Sequence, residues 1–159
     1  MMDESLDYQK KVLNPVLFSL GMIKRLPSIV FWGVRIPSLD EQTCEVTIPF
    51  NWRTQNPFKS IYFAALAGAA ELSTGALCQL HLAGRDSHSM LVIDFRAQYF
   101  KKADSKIIFR CEQGLEIQKL LDDLKNSGDS NTITLKSVGV NAAGQSVASV
   151  EITWSFRKK

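Results

Sequence analysis

The chain has 159 residues, 45% of them hydrophobic and 22% charged, which suits one domain with an ordinary core and excludes wholesale disorder. Its 19 basic and 16 acidic residues leave a formal net charge of +3, too little to argue for a nucleic-acid partner. Three widely spaced cysteines (Cys44, Cys78, Cys111), two histidines and no CxxC argue against a zinc site or a disulfide framework, so reduced thiols in a cytoplasmic protein are the simplest expectation.

Met1 to Lys11 is charged and mixed in sign, without the basic region and apolar core of a signal peptide. From Ser5 to about Leu26 the residues Val12, Leu13, Val16, Leu17, Leu20 and Ile23 follow helical spacing, and Pro15 starts a second helical piece with Asn14 as its cap. This segment, residues 1–28, reads either as a membrane-surface helix or as a lid packed on the core. Its weakly basic polar face favours the lid. No apolar run approaches the roughly 20 residues needed to span a bilayer, so stable membrane insertion is not expected.

The remainder, residues 29–159, reads as a single domain. Ile29 to Ile36 looks β-like, closed by Pro37. Cys44, Val46, Ile48 and Phe50 alternate with polar residues as a half-buried strand. After a polar connection from Asn51 to Lys59, a long helix is predicted from about Ser60 to about His81, with Gly84 as its left-handed stop. Ser89 to Phe100 is a long strand with Leu91, Ile93, Phe95, Ala97 and Tyr99 assigned to one face. Lys106 to Glu112 is a further strand, and Leu115 to Lys125 a short amphipathic helix. Asn131 to Val140 and Ser146 to Phe156 form a hairpin across Asn141-Ala-Ala-Gly144. Short connections make the sheet largely antiparallel. The predicted architecture is α+β, a curved sheet wrapped around one helix.

The long helix is almost uncharged except for Glu71 at its middle. A carboxylate inside so apolar a helix is costly unless something pairs or uses it. At 100° per residue its stripe holds Ser60, Ala64, Ala67, Gly68, Gly75 and Cys78, all small. Such a stripe either packs tightly against a neighbour or leaves a groove for a thin ligand with an acid at its floor. Asn56 lies just ahead of the helix, and backbone N–H groups around Tyr62 and Phe63 are expected to be free in its first turn. Together they suit hydrolysis of an ester or thioester.

On these residues the chain resembles the hotdog-fold acyl-CoA thioesterase superfamily, and most closely its thioesterase-like DUF4442 or YiiD C-terminal type. Phenylacetyl-CoA-type hotdog thioesterases carry an Asn or Gln, a His-Gly-Gly at the helix start and then an acid. Here Asn56 precedes Glu71 by fifteen residues, while Tyr62-Phe63-Ala64 stands in place of His-Gly-Gly. The resemblance implies Glu71 as general base or nucleophile, Asn56 positioning water or the thioester, and the Phe63 amide as oxyanion donor. It implies Tyr62, Ser73, Thr74 and Tyr99 along the substrate path. Lys101 and Lys102 would then meet the phosphates of coenzyme A, or else sit in a solvated turn. It further implies a homodimer or dimer of dimers, an acyl-CoA substrate, and no cofactor beyond the coenzyme A of that substrate. A non-catalytic acyl-CoA or fatty-acid binding protein is the alternative, since Tyr62 and Phe63 are large enough to narrow the tunnel. Hydratase chemistry fits less well, because neither His81 nor His88 precedes Glu71. No GxSxG, P-loop or GxGxxG motif occurs.

Overall fold

The computed structural model describes residues 2–159. Three short helices come first: α1 (Met2–Leu13), α2 (Pro15–Met22) and α3 (Pro27–Trp32). As expected, Asn14 caps α2; its Oδ1 accepts the Val16 and Leu17 amides at 3.0 and 3.1 Å. The β-like reading of Ile29 to Ile36 is corrected. Pro27 sits in the first turn of a helix that Gly33 stops at φ 72°, and the strand begins only afterwards. That strand, β1 (Arg35–Leu39), runs through Pro37 instead of ending before it. It is the outermost strand and its register shifts between Arg35 and Ser38, so the missing proline N–H leaves no neighbour unpaired.

The rest follows as β2 (Cys44–Ile48), α4 (Phe63–Leu82), β3 (His88–Tyr99), β4 (Ile107–Cys111), α5 (Gly114–Asp123), β5 (Ser130–Val140) and β6 (Ser146–Lys158). The six strands form one antiparallel sheet in the order β1-β2-β4-β5-β6-β3. Helix α4 packs across β2, β4 and β5 and touches β6 less. Among the described residues it is the one helix long and apolar enough to cross a membrane, and most of it is buried within this fold instead. Beneath it Val46, Ile48, Ile107, Phe109, Leu135 and Ile152 are inaccessible to solvent. Cys44, Cys78 and Cys111 are free thiols in the same core, and burial pushes all three above the ordinary thiol range.

Strand β3 departs from the simple alternation read from sequence. Its pairing with β6 shifts between Val92 and Asp94, so Ile93 is an extra residue. Met90 and Val92 lie opposite buried Phe156 and Trp154, whereas beyond the bulge Phe95, Ala97 and Tyr99 lie opposite Ile152, Val150 and Ala148. Leu91 is therefore turned to the other face, because a one-residue slip inverts side-chain direction.

Gly114 fixes how α5 meets the β1–β2 turn. Its amide donates to the Gln42 carbonyl at 3.0 Å. A Cβ there would lie 1.9 Å from the Glu41 carbonyl oxygen and 2.8 Å from the Gln42 Cα. Both are backbone atoms that cannot rotate away. Gly114→Ala is expected to cost about 3 kcal/mol, which thermal unfolding would register as a midpoint lowered by roughly 6–12 °C.

Candidate active site

The start of α4 lies three residues later than the sequence suggests, and this shift sets which amides are free. Ser60 to Tyr62 are drawn out of the helix because the Ile61 amide donates to the Ala103 carbonyl at 2.8 Å and the Tyr62 amide to the Thr54 carbonyl at 2.7 Å. Tyr62 is thus the cap, in an extended conformation (φ −61°, ψ 133°), with no side-chain cap bond. Its carbonyl accepts the Ala65 and Leu66 amides. The Tyr62 amide, expected to be free, is engaged. Those of Phe63 and Ala64 have no acceptor among the described residues. They are the unsatisfied donors at the positive end of a 20-residue helix.

A groove of about 620 Å³ opens beside this helix end. The loop before α4 forms one wall, and the exit of β3 forms the other. Six of the nine residues singled out from sequence line it: Asn56, Tyr62, Phe63, Tyr99, Lys101 and Lys102. Tyr62 and Phe63 are about half exposed and meet edge to face, with ring centroids 5.0 Å apart. Tyr99 directs its hydroxyl toward the Phe63 carbonyl at 3.5 Å, and partial burial raises its pKa. Lys101 and Lys102 are exposed at the rim. The sequence did not point to Pro57, Phe58, Ile61, Leu66, Phe100 or Ala103, which complete the apolar lining. Phe100 and Ala103 meet the loop before α4 because the Ile61–Ala103 hydrogen bond joins two segments distant in the chain.

Asn56 lines the groove with its side-chain amide already committed. Its Oδ1 accepts from the Phe58 amide at 2.9 Å and the Ser60 amide at 3.2 Å, and its Nδ2 donates to Ser60 Oγ at 3.0 Å. It organises the Pro57-Phe58-Lys59 turn, in which Lys59 adopts φ 58°.

Glu71 lies apart from the groove lining. Eight residues of helix separate it from Phe63, a rise of about 12 Å. It is half-buried, and burial pushes its carboxyl above the usual range with no charge or donor to offset the effect. The small-residue stripe around it is partly filled by tryptophans. The Trp32 ring covers Gly68, and the Trp154 ring and Glu71 Oε1 both lie over Gly75. Trp154 is the neighbour that sequence reasoning missed, for nothing local ties it to Glu71; only the sheet brings it there. Its indole Nε1 donates to Thr74 Oγ1 at 3.0 Å, so that N–H is not directed to the carboxylate. Ser73 and Thr74 sit in the helix–sheet packing. Ser73 Oγ donates to the Ala70 carbonyl and lies 2.7 Å from Ser137 Oγ, while Thr74 donates to the Glu71 carbonyl.

A second, smaller cavity of about 300 Å³ lies at the far end of α4, between α1 and α5, and includes Gln9, Glu41, His81 and Arg85. None of the sequence-derived site residues falls there. His81 Nε2 is within 2.9 Å of the Glu41 carbonyl, and burial lowers its pKa.

The sequence profile of DUF4442, a domain of unknown function, matches residues 15–156. No curated protein matches the chain. Among solved structures, a protein of unknown function from Chlorobaculum tepidum superposes with a TM-score of 0.77 at 18% identity, covering 93% of this chain and 99% of its own. A probable thioesterase from Pseudomonas aeruginosa gives 0.75 at 18% identity, covering 91% and 97%. A thioesterase from Haemophilus influenzae gives 0.64 at 16%, covering 87% and 88%. At these identities the likeness is one of fold, the hotdog arrangement of a curved antiparallel sheet around a long helix.

Proposed function

The chain belongs to the DUF4442 family, and from that premise we propose that it hydrolyses an acyl thioester, with acyl-CoA as the substrate class. The observation that carries this reading is the pair of unengaged amides at Phe63 and Ala64, which open beside a mostly apolar groove with cations at its rim. The amides would hold the carbonyl oxygen as it becomes an oxyanion. Lys101 and Lys102 would meet the phosphates of coenzyme A, and the acyl chain would follow the apolar wall. A probable thioesterase and a thioesterase among the structural neighbours fit this assignment.

Glu71 would supply the second half of the chemistry. As general base it takes a proton from water as the water oxygen bonds to the carbonyl carbon; the C–S bond then breaks and the thiolate leaves with that proton. As nucleophile it bonds to the carbonyl carbon and the C–S bond breaks, so that thiolate leaves and an anhydride forms; water then opens the anhydride, restoring the carboxylate and supplying the proton that the thiolate takes. Either route yields a free acid and a thiol. The separation of about 12 Å along one helix is too great for one carbonyl to meet both Phe63 and Glu71 of the same copy. We therefore place Glu71 of a second copy opposite the Phe63 amide, in a homodimer. The open edge of β3, with Leu91 and Ile93 more than half exposed, supports such pairing. Buried free thiols suit a reducing compartment such as the cytoplasm.

The test is release of free thiol from a panel of acyl-CoA esters by the purified chain. Mixed Glu71→Gln and Phe63→Pro proteins are expected to recover part of the activity that each lacks alone, since a mixed dimer holds one intact composite site. No hydrolysis across the panel, with lipid retained through purification, would favour a binding protein. The fully bonded Asn56 amide and the bulky Tyr62–Phe63 pair are the observations that keep that second reading in view.

A further inference from the structure

Helix α2 is apolar on every side. Pro15-Val-Leu-Phe-Ser-Leu-Gly-Met22 carries no charge. Phe18 and Met22 face inward, and Phe18 is buried against the core. Val16, Leu17, Leu20 and Ile23 face outward at 63, 48, 65 and 54% exposure. At 100° per residue those four fall within one third of the helix circumference. A helix apolar all round is normally covered on all sides, and a contiguous uncovered stripe marks an interaction surface. The lid expected from sequence is therefore half of the finding: the inner face is a lid, and the outer face remains uncovered.

Charge identifies the occupant. From Tyr8 to Leu39 the chain has no Asp or Glu, and it carries Lys10, Lys11, Lys24, Arg25 and Arg35. Lys11 pairs with Asp7, and Arg35 donates to the Val34 carbonyl. Lys24 and Arg25 follow the apolar stripe directly. Both are exposed, and no carboxylate among the described residues pairs with them. Beyond them Leu26 and Phe31 stay exposed, and Phe31 meets the exposed Trp52 edge to face at 5.8 Å. An apolar stripe bordered by unpaired cations, with no acid across thirty-two residues of chain, matches an anionic lipid surface. Two copies paired through this same face would bring their cations together with no acid from the segment to neutralise them.

We infer that the outer face of α2 docks onto an anionic phospholipid bilayer. Val16, Leu17, Leu20 and Ile23 enter the boundary between headgroups and acyl chains, and Lys24 and Arg25 meet lipid phosphates. This is attachment to one leaflet, not a span, and it stands independently of the thioester reading.

Flotation of the full chain with vesicles tests it. Binding is expected to vesicles of phosphatidylcholine mixed with phosphatidylglycerol, to weaken as sodium chloride is raised, and to be slight on phosphatidylcholine alone. Leu20→Asp and the pair Lys24→Glu/Arg25→Glu are each expected to weaken binding by about tenfold or more. Circular dichroism and the thermal midpoint should match the parent, because these side chains point away from the core; Leu17→Asp serves as the alternative if Leu20→Asp fails to fold. Absence of binding to either vesicle, or binding that neither the salt nor the substitutions weaken, overturns the inference. So does a parent that does not float but forms an oligomer which Leu20→Asp disperses, for then a second copy covers the face.

Discussion

Glu71→Gln is expected to lower thioester turnover by about 10²–10⁴-fold, the usual loss with a positioned base, while the protein folds as well as before or better. The two halves of that expectation share one cause. The Glu71 carboxyl is half-buried beside Trp154, and burial raises its pKa with no compensating donor or cation. Raising the pKa makes the carboxylate a stronger base near neutral pH. The same shift makes the folded state bind a proton more tightly than the unfolded chain, in which the value is near the 4.5 of an ordinary glutamate. Glu71 therefore favours folding most fully below that value, and its contribution falls as pH rises through the folded-state pKa. Gln carries no charge to bury. The variant should escape this decline, so its midpoint should equal or exceed that of the parent at neutral pH. Thiol-release kinetics and thermal unfolding, followed from below that ordinary glutamate value up to neutral pH, read both effects. A purely structural Glu71 would show the stability change without the loss of turnover. Full turnover in Glu71→Gln would remove the catalytic assignment.

Phe63→Pro is the second large effect, expected at about 10²–10³-fold in kcat if the amide is an oxyanion donor. The substitution is unusually clean here. Phe63 is the first helical residue, where proline is well tolerated, and its N–H has no partner to lose. Tyr62 already holds the extended conformation that a residue before proline requires, at φ −61° and ψ 133°. Phe63→Ala is the control. It removes the ring and keeps the amide, so it should retain far more activity than Phe63→Pro, and it should gain access for bulkier acyl groups as the groove widens. Equal loss in both variants would mean that the ring matters and the amide does not. Coenzyme A release measured at saturating and limiting substrate separates the two, since an oxyanion donor acts on kcat while a lining ring acts mainly on KM.

Much of the fold was legible because its signals are local. The alternation at Cys44, Val46 and Ile48, the Asn14-Pro15 cap, the Gly84 stop and the Asn141–Gly144 turn each depend on a few adjacent residues, and each appears where expected. The misreadings arose where a contact distant in sequence overrode local preference. Ile29 to Trp32 is rich in strand-forming residues, yet Pro27 and Gly33 bracket a helical turn that sets Trp32 onto Gly68. Ser60 and Ile61 fit the helical pattern, yet Ala103 and Thr54 hold that stretch of chain in a loop. Pairing with β6 leaves an extra residue at Ile93 and so inverts half of β3, which no period of two foretells.

The candidate site divides in the same way. The amino-acid sequence alone placed a lone carboxylate in an apolar helix, an asparagine ahead of it and a pair of lysines after a long strand, because residue type and spacing along one chain are local properties. Tertiary structure decided which of these meet. It gathered Asn56, Tyr62, Phe63, Tyr99 and the lysines around one groove, because the Ile61–Ala103 hydrogen bond ties the helix entrance to the strand exit. It set Glu71 farther along the same helix beside Trp154, a neighbour supplied by the sheet. A helix fixes the rise between two of its residues, so the distance from acid to amide follows from the helix itself; the surface each one faces depends on how the sheet curves around it.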